Sequence, residues 1–269
     1  MSERIEKILA RELNQPRSRV KTLLQKGQVT VDGVVARAGQ QADPDTQEIC
    51  LAGEPIACRA FVYLMLNKPT GVLSATDGKG EPTVLDLVPS ALRRKGLFPA
   101  GRLDKDTSGA VLFAKTKLSA ARLSKEREQG RYEKEYLALA EGYFGENSGE
   151  VHIPVSQVPG SHPIRMKTDP ENGKEAHTYW KLENQFPEAA LLRIHITTGR
   201  THQIRVHMAG IGHPLLGDPL YGKDCKDFSR AALHAHVLHL THPVTGERLV
   251  IESPLPLDFT EYLRSVPAL

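Results

Sequence analysis

Gly101-Arg102-Leu103-Asp104-Lys105-Asp106-Thr107-Ser108-Gly109 runs directly into the apolar stretch 110–114. A glycine-bounded polar turn that feeds an apolar run of this length reads as a loop presenting side chains at the end of a buried strand. Outward from it, residues 136–140 read as another strand, with a helix over 117–127 in between. In 190–196, Leu192, Ile194 and Ile196 share one strand face, and Leu191, Arg193 and His195 share the other. Upstream, the apolar run 61–66 ends in the turn Asn67-Lys68-Pro69-Thr70-Gly71. Downstream come strands at 233–240 and 248–251 and a short helix at 258–264. The Gly-, Pro- and Ser-rich stretch 145–175 is expected to hold long loops and an irregular strand or two. Strands do not alternate regularly with long helices, so the fold class is α+β with a mixed, largely antiparallel sheet.

The first sixty residues read as a separate compact unit. Ile5, Ile8, Leu9 and Leu13 follow helical spacing. Pro16 interrupts, and Ser18 is expected to cap a second helix with Val20, Leu23 and Leu24 on its apolar face. Gly27 ends it. Val29 and Val31 alternate as a strand, Asp32-Gly33 is a hairpin turn, and Val34-Val35 begins the return. Gly53-Glu54-Pro55 reads as the end of this unit and the start of a linker. The expected division is 1–59 and 60–269.

The composition is that of an ordinary globular chain: 40% hydrophobic and 25% charged over 269 residues. Apolar runs are strand-length, short of the roughly 20 residues a membrane span needs. The beginning, Met-Ser-Glu-Arg-Ile-Glu-Lys, is too polar and acidic for a secretory signal. Three cysteines, Cys50, Cys58 and Cys225, are odd in number and spaced unlike a zinc ribbon, so reduced thiols and a cytoplasmic location are expected. Net charge is only +3, but residues 1–40 hold eight Lys/Arg against four acids, a surplus of four that leaves the other 229 residues one charge negative. The positive charge is concentrated in the small unit, where Arg17, Arg19, Lys21 and Lys26 surround the second helix away from its apolar stripe. That is the pattern of a phosphate-binding appendage or of a solvated helix surface.

Three segments could carry chemistry. In the first, Asp104 and Asp106 at i and i+2 invite a two-carboxylate reading, as in a glycosidase. Asp-Thr-Ser-Gly also resembles the aspartic-protease signature, but with one residue too many and no second copy. A turn in which Asp106 and Thr107 cap backbone donors accounts for those two and for Gly109. The second is Thr198-Gly199-Arg200-Thr201-His202-Gln203-Ile204-Arg205-Val206-His207-Met208, read as a helix starting near Thr201. Ile204 and Met208 then face inward, and Arg205 is placed to clamp a carboxylate or phosphate. The third is His234-Ala-His236-Val-Leu-His239-Leu-Thr-His242. In one straight strand His234 and His242 lie about 27 Å apart and His239 points the other way, so hydrogen-bonded structural histidines or an RNA-facing contact are expected rather than a metal site.

Together these residues resemble a known family. Gly101–Gly109 resembles the central Arg-Leu-Asp-x-x-Thr-Ser/Thr-Gly motif of the RsuA/RluA pseudouridine synthases. Lys134-Glu-Tyr136-Leu-Ala138 is similar to the Lys-x-Tyr-x-Ala element. Thr198–Met208, with Gly212-His-Pro-Leu-Leu-Gly-Asp-Pro-Leu-Tyr-Gly222, resembles the third motif. Asn67-Lys-Pro-x-Gly71 and the stretch from Leu233 to Pro243 match flanking elements. Ser18-Arg19 followed by Gly27-Gln-Val29-Thr-Val31-Asp-Gly33 resembles an S4 RNA-binding domain. The likeness is mixed: Gly101 and Pro82-Thr-Val-Leu-Asp-Leu-Val-Pro resemble the RsuA branch, whereas Arg205 and its surroundings resemble the RluA branch.

The resemblance implies a pseudouridine synthase fold with an S4-like head, and an isomerase that turns a uridine within RNA into its C-glycoside. The implied substrate is ribosomal RNA, with transfer RNA and a non-catalytic RNA-binding or ribosome-assembly role as the alternatives. No redox change or energy source is needed, so no cofactor and no metal are expected; a monomer is expected too. Asp104 is the implied catalytic carboxylate, as nucleophile or as base at the ribose. Arg205 would hold it ionised and oriented. Tyr136 would stack on the uracil, its hydroxyl assisting removal of the C5 proton. Arg102 would fill the space left by an extruded base. Arg17, Arg19, Lys21, Lys26, Arg200 and His202 are the expected RNA contacts.

Overall fold

The structure is a computed structural model that describes residues 2–44, 47–56, 63–90, 97–115, 117–242 and 246–269, with 117 and 118 as backbone only. The expected boundary at 59/60, together with Cys58, Phe61 and Pro243, lies outside the described residues.

The N-terminal unit folds as its periodicity predicts. Helices Ile5–Glu12 and Arg17–Gln25 bury Ile5, Ile8, Leu9, Val20 and Leu24 against Val29, Val31 and Ile49 of a four-stranded sheet. Two expectations are corrected. Ser18 does not cap the second helix: the chain enters through Pro16, whose extended backbone sets up the first turn, and no side chain caps it. Glu54-Pro55 is not a linker either. It pairs with Cys50 and Leu51 across a hairpin whose turn residues Ala52 and Gly53 have φ of 51° and 85°, the two positive φ values of a tight hairpin turn. Ile56 then donates its N–H to Ile49 O and packs on the same core. Arg17, Arg19, Lys21 and Lys26 are all exposed.

The larger unit is built on a nine-stranded sheet. Its main path runs Ser148–Val151, Thr178–Gln185, Ala189–Ile196, Glu133–Glu141, Leu233–Thr241, Ser108–Ala114 and Tyr63–Lys68. Phe98–Pro99 pairs with Ser108–Ala114, and Arg248–Glu252 pairs with Leu233–Thr241. Every pairing is antiparallel except the short parallel contact of Leu233–Thr241 with Ser108–Ala114. The sheet is mixed and largely antiparallel, as expected. Among the described residues no helix is long and apolar enough to cross a membrane.

Ser108–Ala114 is buried along its whole length, which explains an unbroken apolar run rather than an alternating one. Val111 and Phe113 join the main core; Ala110, Leu112 and Ala114 face Leu123 of the helix Lys117–Glu128. Truncating the fully buried Phe113 to alanine would cost about 3–5 kcal/mol. Leu192 and Ile194 pack with Tyr136 in the main core while Leu191 packs on the opposite side, as the alternation predicts. Gly109 sits where the strands meet in parallel, at φ 119°, and a Cβ there would come within 2.3 Å of Ala235 O. Only glycine fits so close an approach.

Candidate active site

The loop ahead of Ser108–Ala114 is held by groups from four parts of the chain. Ser74 Oγ accepts the Leu103 N–H at 3.1 Å, and Thr107 N–H closes the turn onto Asp104 O at 3.1 Å. Lys68, fully buried, donates to Lys105 O at 2.7 Å and Pro69 O at 2.9 Å. Burial pulls its pKa down to about 8 against the pull of Asp106 and Asp104. Arg230 grips Asp258 through Nε and Nη2 and reaches Asp106 O with Nη1 at 3.3 Å. Behind the loop, Ser108 Oγ meets His234 Nδ1 at 2.9 Å. Asp104 therefore sits on a pinned turn, not a loose one.

Facing it is the helix Gln203–Gly210, two residues later than expected at its start. His202 has a left-handed backbone, φ 53°, so the helix cannot begin at Thr201. Gln203, Ile204, Arg205, Val206, His207 and Met208 are all buried. Arg205 donates to Asp218 twice, Nε to Oδ2 and Nη2 to Oδ1, each at 2.7 Å. Its remaining nitrogen, Nη1, lies 3.8 Å from Asp104 Oδ2. Burial opposes the guanidinium charge, but Asp218, with Asp104 and Tyr221, outweighs it and raises the Arg205 pKa. The bidentate clamp expected of Arg205 is thus spent on Asp218, and Asp104 is met by the side of the fork left over.

A cleft of about 70 Å³ lies over this pair, and Arg102, Asp104, Tyr136, Arg200, His202 and Arg205 all line it. Asp104 is the one carboxylate among its lining residues. Tyr136 is buried; burial first, then the charge of Asp104, pushes its pKa up, so its hydroxyl keeps its proton. Arg102 and Arg200 are exposed at the rim. Arg200 Nε is tied to Glu175 O at 2.9 Å. His202 Nδ1 meets Tyr221 Oη at 2.9 Å, and burial lowers its pKa. Six residues singled out from three distant segments therefore converge. Arg17, Arg19, Lys21 and Lys26 belong to the N-terminal unit.

The other readings resolve geometrically. Asp106 is not among the residues lining the cleft; its carbonyl is a tie point of the turn. His234 bridges Ser108 and Ser253 O, His236 also meets Ser253 O, and His239 meets Glu135. These are hydrogen-bonded structural histidines. Among the described residues no group of three or more His, Cys, Asp or Glu is placed to hold a metal ion. Sequence reasoning missed Asp218, Lys68, Ser74 and Arg230. The signal available for Asp218 was an acid directly after the apolar Leu215-Leu216-Gly217 in a turn-rich loop, a setting that buries a charge only beside a partner.

Comparisons with known proteins identify the family. Residues 62–210 match the RNA pseudouridylate synthase family model and residues 3–47 the S4 domain model. The uncharacterized RNA pseudouridine synthase YhcT of Bacillus subtilis is 37% identical over 209 residues, 75% of this chain and 68% of that protein. Ribosomal large subunit pseudouridine synthase D of Nitrosomonas europaea is 35% identical over 292 aligned positions, covering 98% of this chain and 84% of that one. The solved structure of human RNA pseudouridylate synthase domain containing 1 is 25% identical, with a TM-score of 0.59, covering 78% of this chain and 94% of that chain. With a matching family model over more than half its length and relatives aligned end to end, this chain belongs to the RNA pseudouridylate synthase family, isomerases that act on RNA.

Proposed function

We propose that this chain isomerises a uridine of ribosomal RNA to pseudouridine and that Asp104 starts the reaction. The observation that carries the assignment is the position of Asp104, the one carboxylate among the described residues lining the cleft, 3.8 Å from a buried arginine that Asp218 holds in place. Asp104 acts at the ribose and the N-glycosidic bond breaks. The uracil turns, C5 bonds to the ribose and the C5 proton leaves. Arg205 keeps the carboxylate aimed through the cycle. Tyr136 offers its ring as a stacking surface and its protonated hydroxyl as a donor; taking the C5 proton would first require an ionisation that burial opposes. Arg102, exposed at the rim, would occupy the gap left by the extruded base.

Ribosomal RNA is favoured because relatives covering nearly the whole chain are named ribosomal large subunit pseudouridine synthases. The exposed basic residues of the S4-like unit suit an RNA backbone. Pseudouridines mapped in total RNA from cells with and without the gene test the substrate. A lost site in ribosomal RNA is expected, and a lost site confined to transfer RNA would overturn that half of the proposal. Asp104→Asn tests the chemistry: isomerisation should vanish while RNA binding remains, and near-normal turnover would remove Asp104 from its role.

A further inference from the structure

A second cavity opens beside the cleft and shares part of its wall, since Arg102, Tyr136, Ile196 and Gly199 line both. At about 520 Å³ it is several times larger than the cleft and of a size that takes a small organic ligand or a nucleotide base. Leu123 and Ala120 of the helix Lys117–Glu128 give it an apolar side, and with Arg127 Nη2 donating to Ala100 O, Tyr132 Oη and Lys134 Nζ are its least committed donors.

Tyr132 is only 8% exposed, yet its Oη has no hydrogen-bond partner among the described residues. Burial pushes its pKa up to about 12, so it carries a proton with nowhere to donate it. A buried hydroxyl left unpaired costs about 1–3 kcal/mol, which a ligand carrying an acceptor would relieve. Among the described residues Lys134 Nζ makes one long hydrogen bond, to Arg102 O at 3.4 Å. Arg127 lies with its Cζ 5.5 Å from the centre of the Tyr132 ring. Glu133, the one carboxylate on the wall, is drawn off by Arg248 at 3.3 Å. Gly101 leaves the approach open: a Cβ there would lie 3.1 Å from Lys134 Nζ and 3.7 Å from Tyr132 Oη. The wall is cationic, rich in donors and continuous with the site where a uridine is isomerised.

We propose that this cavity receives the base of a nucleotide adjacent to the target uridine, extruded with it, and that Tyr132 Oη and Lys134 Nζ donate to carbonyl oxygens on its edge. The inference rests on the pseudouridine synthase reading. Neighbouring nucleotides of one strand suit two cavities with a common wall, and Arg127 suits the phosphate that joins them. Uracil, cytosine and guanine present a carbonyl acceptor that adenine lacks, adenine offering only ring nitrogens, so Tyr132 Oη and Lys134 Nζ fit the first three better.

The test uses the full chain and a short RNA hairpin carrying the mapped uridine. Each neighbour of that uridine is replaced in turn by an abasic nucleotide or by adenine. At one neighbour, the abasic change should raise KM about tenfold, the value of one or two hydrogen bonds, and adenine by less, while kcat stays within about twofold. Tyr132→Phe should raise KM on the intact hairpin by a similar factor without lowering Tm, because it removes a hydroxyl that nothing in the free protein satisfies. On the abasic hairpin Tyr132→Phe should add nothing further. Gly101→Leu, which covers both donors, should behave like Tyr132→Phe. Equal, additive effects at both neighbours, or a Tyr132→Phe protein indistinguishable from the parent on intact RNA, would overturn the proposal. Absence of any isomerised uridine would instead refute the underlying activity.

Discussion

Arg205 is gripped by both carboxylate oxygens of Asp218 at 2.7 Å, which leaves Nη1 facing Asp104 Oδ2 across 3.8 Å. Arg205 is 5% exposed and Asp218 is fully buried, and Asp218 Oδ1 also accepts the N–H groups of Leu220 and Tyr221. One carboxylate therefore anchors the arginine so that its free side can serve another. The bond to Asp218 is the stronger of the two, since it is bidentate and wholly desolvated.

Asp218→Asn removes the countercharge and leaves the Arg205 guanidinium buried without compensation. Breaking one partner of such a pair costs about 3–5 kcal/mol. Denaturant unfolding should show that loss, and single-turnover isomerisation should slow in the protein that remains folded. An unchanged unfolding midpoint would contradict the anchoring role.

Arg205→Lys keeps the charge but not the fork, so one ammonium cannot hold Asp218 bidentately and face Asp104 as well. Misplacing a reacting group by about 1 Å can cost on the order of 10²-fold in rate. A fall in kcat of that order with KM little changed is expected. A rise in KM with kcat intact would mean that Arg205 binds RNA rather than orienting Asp104.

His234 introduces a pH dependence of stability. It is fully buried between Ser108 and Ser253, and burial lowers its pKa from an ordinary 6.5 to about 4. The unfolded chain takes up this proton before the folded one, so the contribution is complete above pH 6.5 and is lost as pH falls towards 4. The loss through this group is about 3 kcal/mol. Thermal unfolding followed from pH 7 to 4 should show a steep decline that His234→Gln flattens; parallel curves for the two proteins would refute it.

The S4-like unit should supply affinity without chemistry. Replacing Arg17, Arg19, Lys21 and Lys26 together with alanine removes four exposed charges. RNA affinity should fall, and the salt dependence of binding should become shallower by up to about 3 in log–log slope if all four meet phosphates. Single-turnover rates at saturating enzyme should not change. A salt slope equal to the parent's would place the RNA elsewhere.

Much of this was legible because local chemistry writes itself into local pattern. The apolar run after Gly109, the alternation through residues 190–196 and the helical spacing of Ile5, Ile8 and Leu9 each report burial of a single element. Elements whose pattern was equally clear but whose ends depend on a backbone angle were misplaced. The helix starts at Gln203 because His202 turns left-handed, and Glu54-Pro55 returns to the sheet because Ala52 and Gly53 do the same. Spacing carries no record of those angles.

The sequence by itself determined the family, the α+β class and the residues Asp104, Tyr136 and Arg205 as a candidate set. These rest on residue types at fixed offsets along the chain. Only the tertiary structure decided which of them meet. Arg205 could have clamped Asp104 directly; Asp218, thirteen residues further on, takes the fork instead. Lys68, Ser74 and Arg230 hold the Asp104 turn by its backbone rather than by charge pairing. A hydrogen bond to a carbonyl asks nothing of the residue that owns it, so no pattern of side chains along the chain could announce it.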